Sequence, residues 1–191
     1  REGDSHVLEF ARNAAAGSII WSLVWFFLGL FSAYNAVAAI IVTTAGLMLA
    51  VLGFSRIRSV KTESRTPEAP AGIDKILLVL IAFCVVLAFV ASLAPPIAKD
   101  TLLYHFAVPK AFIAQHSSAF IEGNIASYLA LGTEMHVVWS MLLGGIFSTR
   151  AGEVAAGATV FLFLPILLAA VFGWCRELNI SRTWSLVAVF A

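Results

Sequence analysis

Long apolar runs, separated by short polar segments, recur along the chain and restrict it to one class of fold. A transmembrane helix needs about 20 consecutive apolar residues, because the hydrocarbon core of a bilayer is about 30 Å thick. Of the 191 residues, 61% are hydrophobic and 12% are charged, whereas soluble domains carry about 45–50% apolar and about 25% charged residues. We therefore predict an all-α, polytopic transmembrane helical bundle.

The polar breaks between the runs predict the topology of a single membrane domain. The linker 55–75 is rich in Arg and Lys, which concentrate in cytoplasmic loops. We therefore predict a cytoplasmic linker and a cytoplasmic N-terminus. Alternation then makes 95–127 an outer loop, 148–153 a cytoplasmic turn and 176–182 an outer loop, although two arginines in that last loop oppose the rule. The predicted spans are 14–33, 36–54, 76–94, 128–147, 154–174 and an incomplete 184–191.

The ends of the sequence indicate a piece of a longer protein. Residue 1 is Arg, and the last apolar run, 184–191, is shorter than a span. We therefore expect further segments on both sides of the 191 residues.

The outer loop 95–127 is a polar island between apolar spans, and it contains a predicted helix. Pro95 and Pro96 end the preceding span, since proline cannot continue a helix. At 100° per residue, the segment that follows has one apolar side and one polar side, which is typical of a helix lying in the membrane interface. We expect Pro109 to kink it. The apolar side contains Leu102, Phe106, Pro109 and Ile113, and the polar side contains Asp100, Tyr104, Ala111 and Gln115.

Several classes of function lack their sequence signals. The net charge of +1 gives no sign of the strongly basic surface that is typical of nucleic-acid-binding proteins. No Walker-type loop, Ser/His/Asp order or HExxH motif occurs. Cys84 and Cys175 both lie in apolar runs, so we predict packing within spans and no disulfide.

Two acidic residues near the ends of spans are candidate catalytic groups. Asp100 can act as a general base or bind a divalent cation, or it can simply cap a helix N-terminus. Glu134, at the mouth of the span 128–147, is either a second acidic group of the same site or a residue that reaches the interface.

Cationic and aromatic residues of the island are candidate substrate-binding groups. Lys99, Lys110 and His105 can meet a lipid phosphate or serve only as interface anchors. Tyr104 shares a helix face with Asp100 at i, i+4. These residues leave three classes open: a membrane enzyme with an outer-face carboxylate, a transporter, and a non-catalytic membrane subunit. Charges at the ends of spans disfavour the transporter, which needs them near the midplane.

The segment 76–176 resembles the first outer loop and following span of bacterial GT-C membrane glycosyltransferases. The closest similarity is to the group of protein mannosyltransferases and aminoarabinose transferases. The resemblance rests on these short elements: Pro95-Pro96, Asp100-x-x-x-Tyr104-His105-Phe106-x-x-Pro109-Lys110-x-Phe112, Gly123-Asn124, Glu134-Met135 and Leu142-Leu143-Gly144-Gly145.

The resemblance implies an inverting transfer of a sugar from a polyprenyl-phosphate donor to an acceptor hydroxyl. It places the reaction at the extracytoplasmic face of a bacterial inner membrane. Asp100 matches the acidic residue that activates or orients the acceptor, and Glu134 is a looser match to a second one. Tyr104, His105, Lys99 and Lys110 are expected to bind the substrate.

The resemblance leaves the metal and the substrates open. Some relatives use a divalent metal ion and others use none. The family often pairs two acidic residues where this chain has Asp100-Thr101, and the two spans before the linker are additional to the simplest family plan. The expected partners are the lipid-linked sugar donor and membrane lipids, with an acceptor of unknown identity.

Overall fold

The computed structural model describes residues 2–57, 71–129 and 131–191, and it confirms the all-α class. The described residues form α-helices and no strand. Most of the predicted linker, 55–75, lies outside them. The helices are α1 (Glu2–Leu30), α2 (Ala36–Ile57), α3 (Gly72–Ser92), α4 (Ala107–Ala114), α5 (Gly132–Gly145), α6 (Thr149–Phe161), α7 (Phe163–Glu177) and α8 (Arg182–Phe190).

Four stretches of helix in the described part of the chain are long and apolar enough to cross a membrane. Their side chains are mostly exposed on the surface of the fold, as Phe27, Leu49 and Val79 illustrate. Exposed apolar helices of this length have the character of membrane spans, because lipid takes the place of water around them. The four stretches are His6–Leu30, Ala36–Gly53, Gly72–Ser92 and Thr149–Glu177.

The predicted span 128–147 differs from the helix that the structure contains there. Helix α5 has 14 residues and is therefore about 21 Å long, which is short for a bilayer crossing. Its polar residues Glu134, His136 and Ser140 are buried, so protein covers this helix. The predicted span 154–174 extends in the structure to Thr149–Glu177.

The described chain divides into two compact units. The first unit comprises residues 2–21, 71–94 and 157–191, and the second comprises 22–57 with 95–129 and 131–156. In the first unit, the end of α3 packs against the end of α6. The rings of Phe89 and Phe161 lie 5.2 Å apart near one end, and the backbone of Gly157 lies against the carbonyl of Ser92.

The opposite end of the first unit is held by polar contacts. Thr183 Oγ1 donates to Asp74 Oδ1 at 2.6 Å, and Arg12 Nη2 donates to Glu177 Oε2 at 3.1 Å. The turn after α7 therefore lies at the same end as the start of α3, whereas the chain leaves this unit after α3 and returns to it in α6 at the other end. This arrangement differs from the predicted alternation, which counted 128–147 as a crossing and made 176–182 an outer loop.

In the second unit, a small core joins the island to α5 and α6. The core contains Phe106, Val137, Met141 and Ala156, with Ile113 packed against it. A polar contact also anchors α5, since Trp139 Nε1 donates to Thr43 Oγ1 of α2 at 2.8 Å.

The island helix is broken, and its apolar side differs from the predicted one. A π-helical turn, Thr101–His105, precedes α4, and the Phe106 N–H donates to the Thr101 carbonyl at 2.9 Å. In a continuous α-helix the ring of Pro109 would clash with the His105 carbonyl, so the helix restarts after Phe106 and Pro109 lies in its first turn. As a result Phe106 is 7% exposed and Leu102, predicted on the same side, is 54% exposed.

Candidate functional site

His105 and Glu134 form a close side-chain pair in the second unit, called the His–Glu pair below. His105 ends the π-helical turn and Glu134 lies in the first turn of α5. His105 Nδ1 lies 2.6 Å from Glu134 Oε1. Phe106, next to His105, packs in one core with Val137 of α5, so the backbone on both sides of the pair is held in place.

The two members of the pair differ sharply in exposure. The Glu134 side chain is 7% exposed and the His105 side chain is 43% exposed. A buried carboxylate requires a hydrogen-bonding partner, and His105 supplies it. An ionised carboxylate only accepts hydrogen bonds, so Nδ1 is the donor in the contact with the charged form of Glu134. Nε2 makes no hydrogen bond within the described part of the chain, and His105 is the more exposed member of the pair, so it is the member that can meet a ligand.

Tyr104 borders the His–Glu pair. The centroids of the Tyr104 and His105 rings lie 4.0 Å apart, with the rings tilted by 45°. The predicted substrate-binding residues Tyr104 and His105 are therefore neighbours in space, and Glu134 joins them from 29 residues away.

Asp100 and Lys99 lie just before the π-helical turn, and both are exposed. Asp100 occupies the N-cap position, yet its side chain accepts no capping hydrogen bond. This position agrees with the alternative that the sequence left open for Asp100, an N-cap residue with a solvated side chain. Among the described residues, no hydrogen bond or ion pair links Asp100 or Lys99 to the His–Glu pair.

Lys110, a predicted substrate-binding residue, has an acidic partner that sequence reasoning missed. Its Nζ lies 2.5 Å from Oε1 of Glu153 in α6. The ion pair borders a cleft of about 370 Å³ whose other lining residues include Met141 and Thr149. Lys110 is therefore already paired with a carboxylate.

Tyr34 lies between α1 and α2, and the structure gives it buried contacts that sequence reasoning missed. Its hydroxyl donates to the Trp25 carbonyl at 2.9 Å and lies 3.2 Å from Met135 Sδ. Burial raises the pKa of Tyr34 well above its ordinary value of 10.0, since burial disfavours the charged phenolate.

Asp74 is a buried carboxylate that sequence reasoning also missed. Its Oδ2 accepts the Ala71 N–H at 3.1 Å and its Oδ1 accepts the Thr183 hydroxyl. Arg182 Nε lies 4.0 Å from Oδ2. A lone acidic residue directly before an apolar run was the available signal, because carboxylates favour the first turn of a helix. These contacts connect the starts of α3 and α8.

The described residues contain no group of three or more His, Cys, Asp or Glu side chains placed to hold a metal ion.

Comparison with known proteins adds no relative from which a role could be transferred. The chain matches no family model, no curated protein and no solved structure. The function of the chain is therefore inferred from its residues and their geometry.

Proposed function

We propose that this chain belongs to a membrane glycosyltransferase that moves a sugar from a polyprenyl-phosphate donor to an acceptor hydroxyl on the extracytoplasmic face. The observation that carries the proposal is the His–Glu pair. It joins two distant elements of the glycosyltransferase-like pattern, at 105 and 134, in one polar site five residues from Asp100 along the chain.

The position of the site along the chain suits a lipid-linked donor. The bond between a lipid phosphate and its sugar lies at headgroup depth, so the reacting groups belong at the ends of spans. The island begins directly after α3, one of the candidate spans, and the exposed edge of His105 belongs to it. Basic groups beside a membrane surface attract phosphate.

Asp100 is the proposed general base. Its exposed carboxylate takes the proton of the acceptor hydroxyl as that oxygen attacks the anomeric carbon of the sugar. The bond from that carbon to the phosphate oxygen breaks, the configuration inverts, and polyprenyl phosphate leaves with the bonding electrons. A positioned base contributes about 10²–10⁴-fold to such a rate.

A transporter is the second candidate, because α5 combines two features of transporter sites. It is a short helix, and it carries the buried ionisable residues Glu134 and His136. Broken helices with ionisable groups form the sites of many transporters. A transporter would move its substrate without breaking the bond between sugar and phosphate, and the assay below separates the two functions.

We expect Asp100→Asn in the full-length protein to lower sugar transfer by about 100-fold or more, because the substitution removes the base and keeps the shape. Membranes containing the protein are supplied with undecaprenyl phosphate carrying radiolabelled mannose, glucose or aminoarabinose, and label leaving the lipid is measured. Glu122→Gln, which changes an exposed carboxylate of the same loop, is the matched control and should keep full activity.

Two results would contradict the proposal. Transfer by Asp100→Asn at the wild-type rate would remove Asp100 as the base. Wild-type protein that leaves every labelled donor intact while carrying it across the membrane would favour the transporter.

A further inference from the structure

We infer that Glu134 is a positioning residue that holds His105 so that its Nε2–H binds the phosphate of the lipid-linked donor. The inference rests on the proposed function and deepens it. It also replaces the predicted catalytic role of Glu134 with a supporting one.

Burial separates the roles of the two side chains. With 7% of its side chain exposed and one oxygen 2.6 Å from Nδ1, Glu134 is poorly placed to touch a substrate. His105 is 43% exposed and has an available nitrogen on the opposite edge of its ring. A carboxylate that orients an imidazole through one nitrogen leaves the other nitrogen aimed outward, as in catalytic triads.

The other basic groups of the island are less suited to fix a phosphate. Lys110 Nζ is paired with Glu153 at 2.5 Å, so a phosphate would compete with a carboxylate for it. Lys99 is exposed and makes no contact that fixes its direction among the described residues. His105 has both a fixed ring, bonded by Glu134 and flanked by Tyr104, and an open edge.

The chemistry of the leaving group matches this arrangement. The imidazolium form of His105, with a proton on each nitrogen, donates one N–H to the Glu134 carboxylate and the other to the phosphate, and such charge-assisted hydrogen bonds are the strong ones. When the bond from the sugar carbon to the phosphate oxygen breaks, the phosphate changes from a diester with one negative charge to a monoester with up to two. The hydrogen bond from Nε2 to the phosphate therefore strengthens as the bond breaks, which stabilises the transition state.

The test measures phosphate binding apart from catalysis. Purified full-length protein is titrated calorimetrically with farnesyl phosphate, and with farnesol as the matched probe without a phosphate. His105→Asn keeps a side-chain N–H close to the position of Nδ1 and removes Nε2, so Glu134 retains its partner. Glu134→Gln keeps an acceptor and removes the charge. Both single variants and the double variant are compared with Glu122→Gln.

We expect His105→Asn to weaken farnesyl phosphate binding by about 10-fold or more, as for a lost charge-assisted hydrogen bond. Glu134→Gln should weaken it in the wild-type background and add nothing in the His105→Asn background, because it acts through His105. Farnesol binding should stay unchanged in every variant, and Glu122→Gln should bind like wild type.

Three results would overturn the inference. The first is that Glu134→Gln weakens farnesyl phosphate binding as much in the His105→Asn background as in the wild type. The others are that the variants weaken farnesol binding equally, or that the wild type does not bind farnesyl phosphate. The proposed function fails separately. If the variants show the expected differences in farnesyl phosphate binding but the protein transfers no sugar, the phosphate site is supported and the proposed transferase function is wrong. If the protein transfers sugar but Glu134→Gln binds farnesyl phosphate like wild type, the proposed function is supported and the inference about Glu134 is wrong.

Discussion

At the scale of single residues, Tyr34 fixes the turn between α1 and α2 to the end of the island. Its side chain is fully buried, and His116 Nδ1 lies 2.8 Å from its carbonyl. Its own N–H donates to the His116 carbonyl at 3.3 Å. The segment before α2 and the loop after α4 are therefore held together by one residue and its partner.

Tyr34→Phe tests this role through the pH dependence of stability. Because burial raises the pKa of Tyr34, the folded phenol stays neutral where an unfolded tyrosine ionises, above about pH 10. The contribution of Tyr34 to the free energy of unfolding is complete below that pH, and it is lost as the pH rises towards the pKa of Tyr34 in the folded state. The wild-type free energy of unfolding should fall above pH 10, by at most about 1.4 kcal/mol per pH unit from this group.

The Phe variant lacks this titration and should lose only about 1 kcal/mol at pH 8, for the missing hydroxyl contact. Denaturant unfolding of the full-length protein in micelles between pH 8 and 11.5 measures both curves. Parallel curves for the two proteins across this range would contradict the assignment.

At the scale of elements, the contact between α5 and α6 depends on backbone approach. A Cβ on Gly144 would lie 2.6 Å from the Ala151 carbonyl oxygen and 2.8 Å from the Gly152 Cα, whereas a Cβ on Gly145 would meet nothing within 4 Å. Of these two adjacent glycines, Gly144 leaves no room for a side chain and Gly145 does, and the sequence alone does not show this difference.

Gly144→Ala should destabilise the fold by about 1–3 kcal/mol, because the added methyl group forces the two backbones apart. Gly145→Ala should leave stability unchanged or raise it by up to about 1 kcal/mol, since alanine is the better helix former. Thermal unfolding of the two full-length variants side by side provides the comparison. Equal effects at both positions would show that α5 and α6 do not pack as described.

At the scale of the whole molecule, contacts within the first unit show which helix ends lie together. Its contacts place the start of α3, the end of α7 and the start of α8 at one end. If the basic linker before α3 is cytoplasmic, the turn at 178–181 is cytoplasmic as well. The arginines near that turn, Arg176 and Arg182, then follow the positive-inside tendency that the predicted alternation violated.

Single cysteines in the full-length protein test this arrangement. In a background with Cys84 and Cys175 replaced, we expect Glu122→Cys to react with an impermeant maleimide on intact cells. Leu178→Cys should react only after permeabilisation, like the linker reference Ser64→Cys, which lies outside the described residues. Labelling of position 178 on intact cells would show that 176–182 is an outer loop, as the sequence predicted, and would contradict this arrangement.

Part of the site could be predicted from residue type and position alone. Tyr104 and His105 follow closely after a span, and a cluster of ionisable groups there indicates use. The role of Asp100, which no contact joins to the His–Glu pair among the described residues, stays a prediction. The partners could not be predicted, because Glu134, Glu153 and Asp74 meet groups 29, 43 and 109 residues away. Local patterns contain no signal for contacts at such separations.

The sequence by itself determined the all-α class, the apolar helices and their approximate ends, because apolar length and proline breaks are local properties of the chain. Only the tertiary structure decided that α5 is short and covered by protein, since apolar residues look the same whether lipid or protein surrounds them. It also decided that Phe106 is buried while Leu102 is exposed, because the break before Pro109 changes the helical register. The same fold buries the Glu134 side chain and leaves the His105 side chain partly exposed.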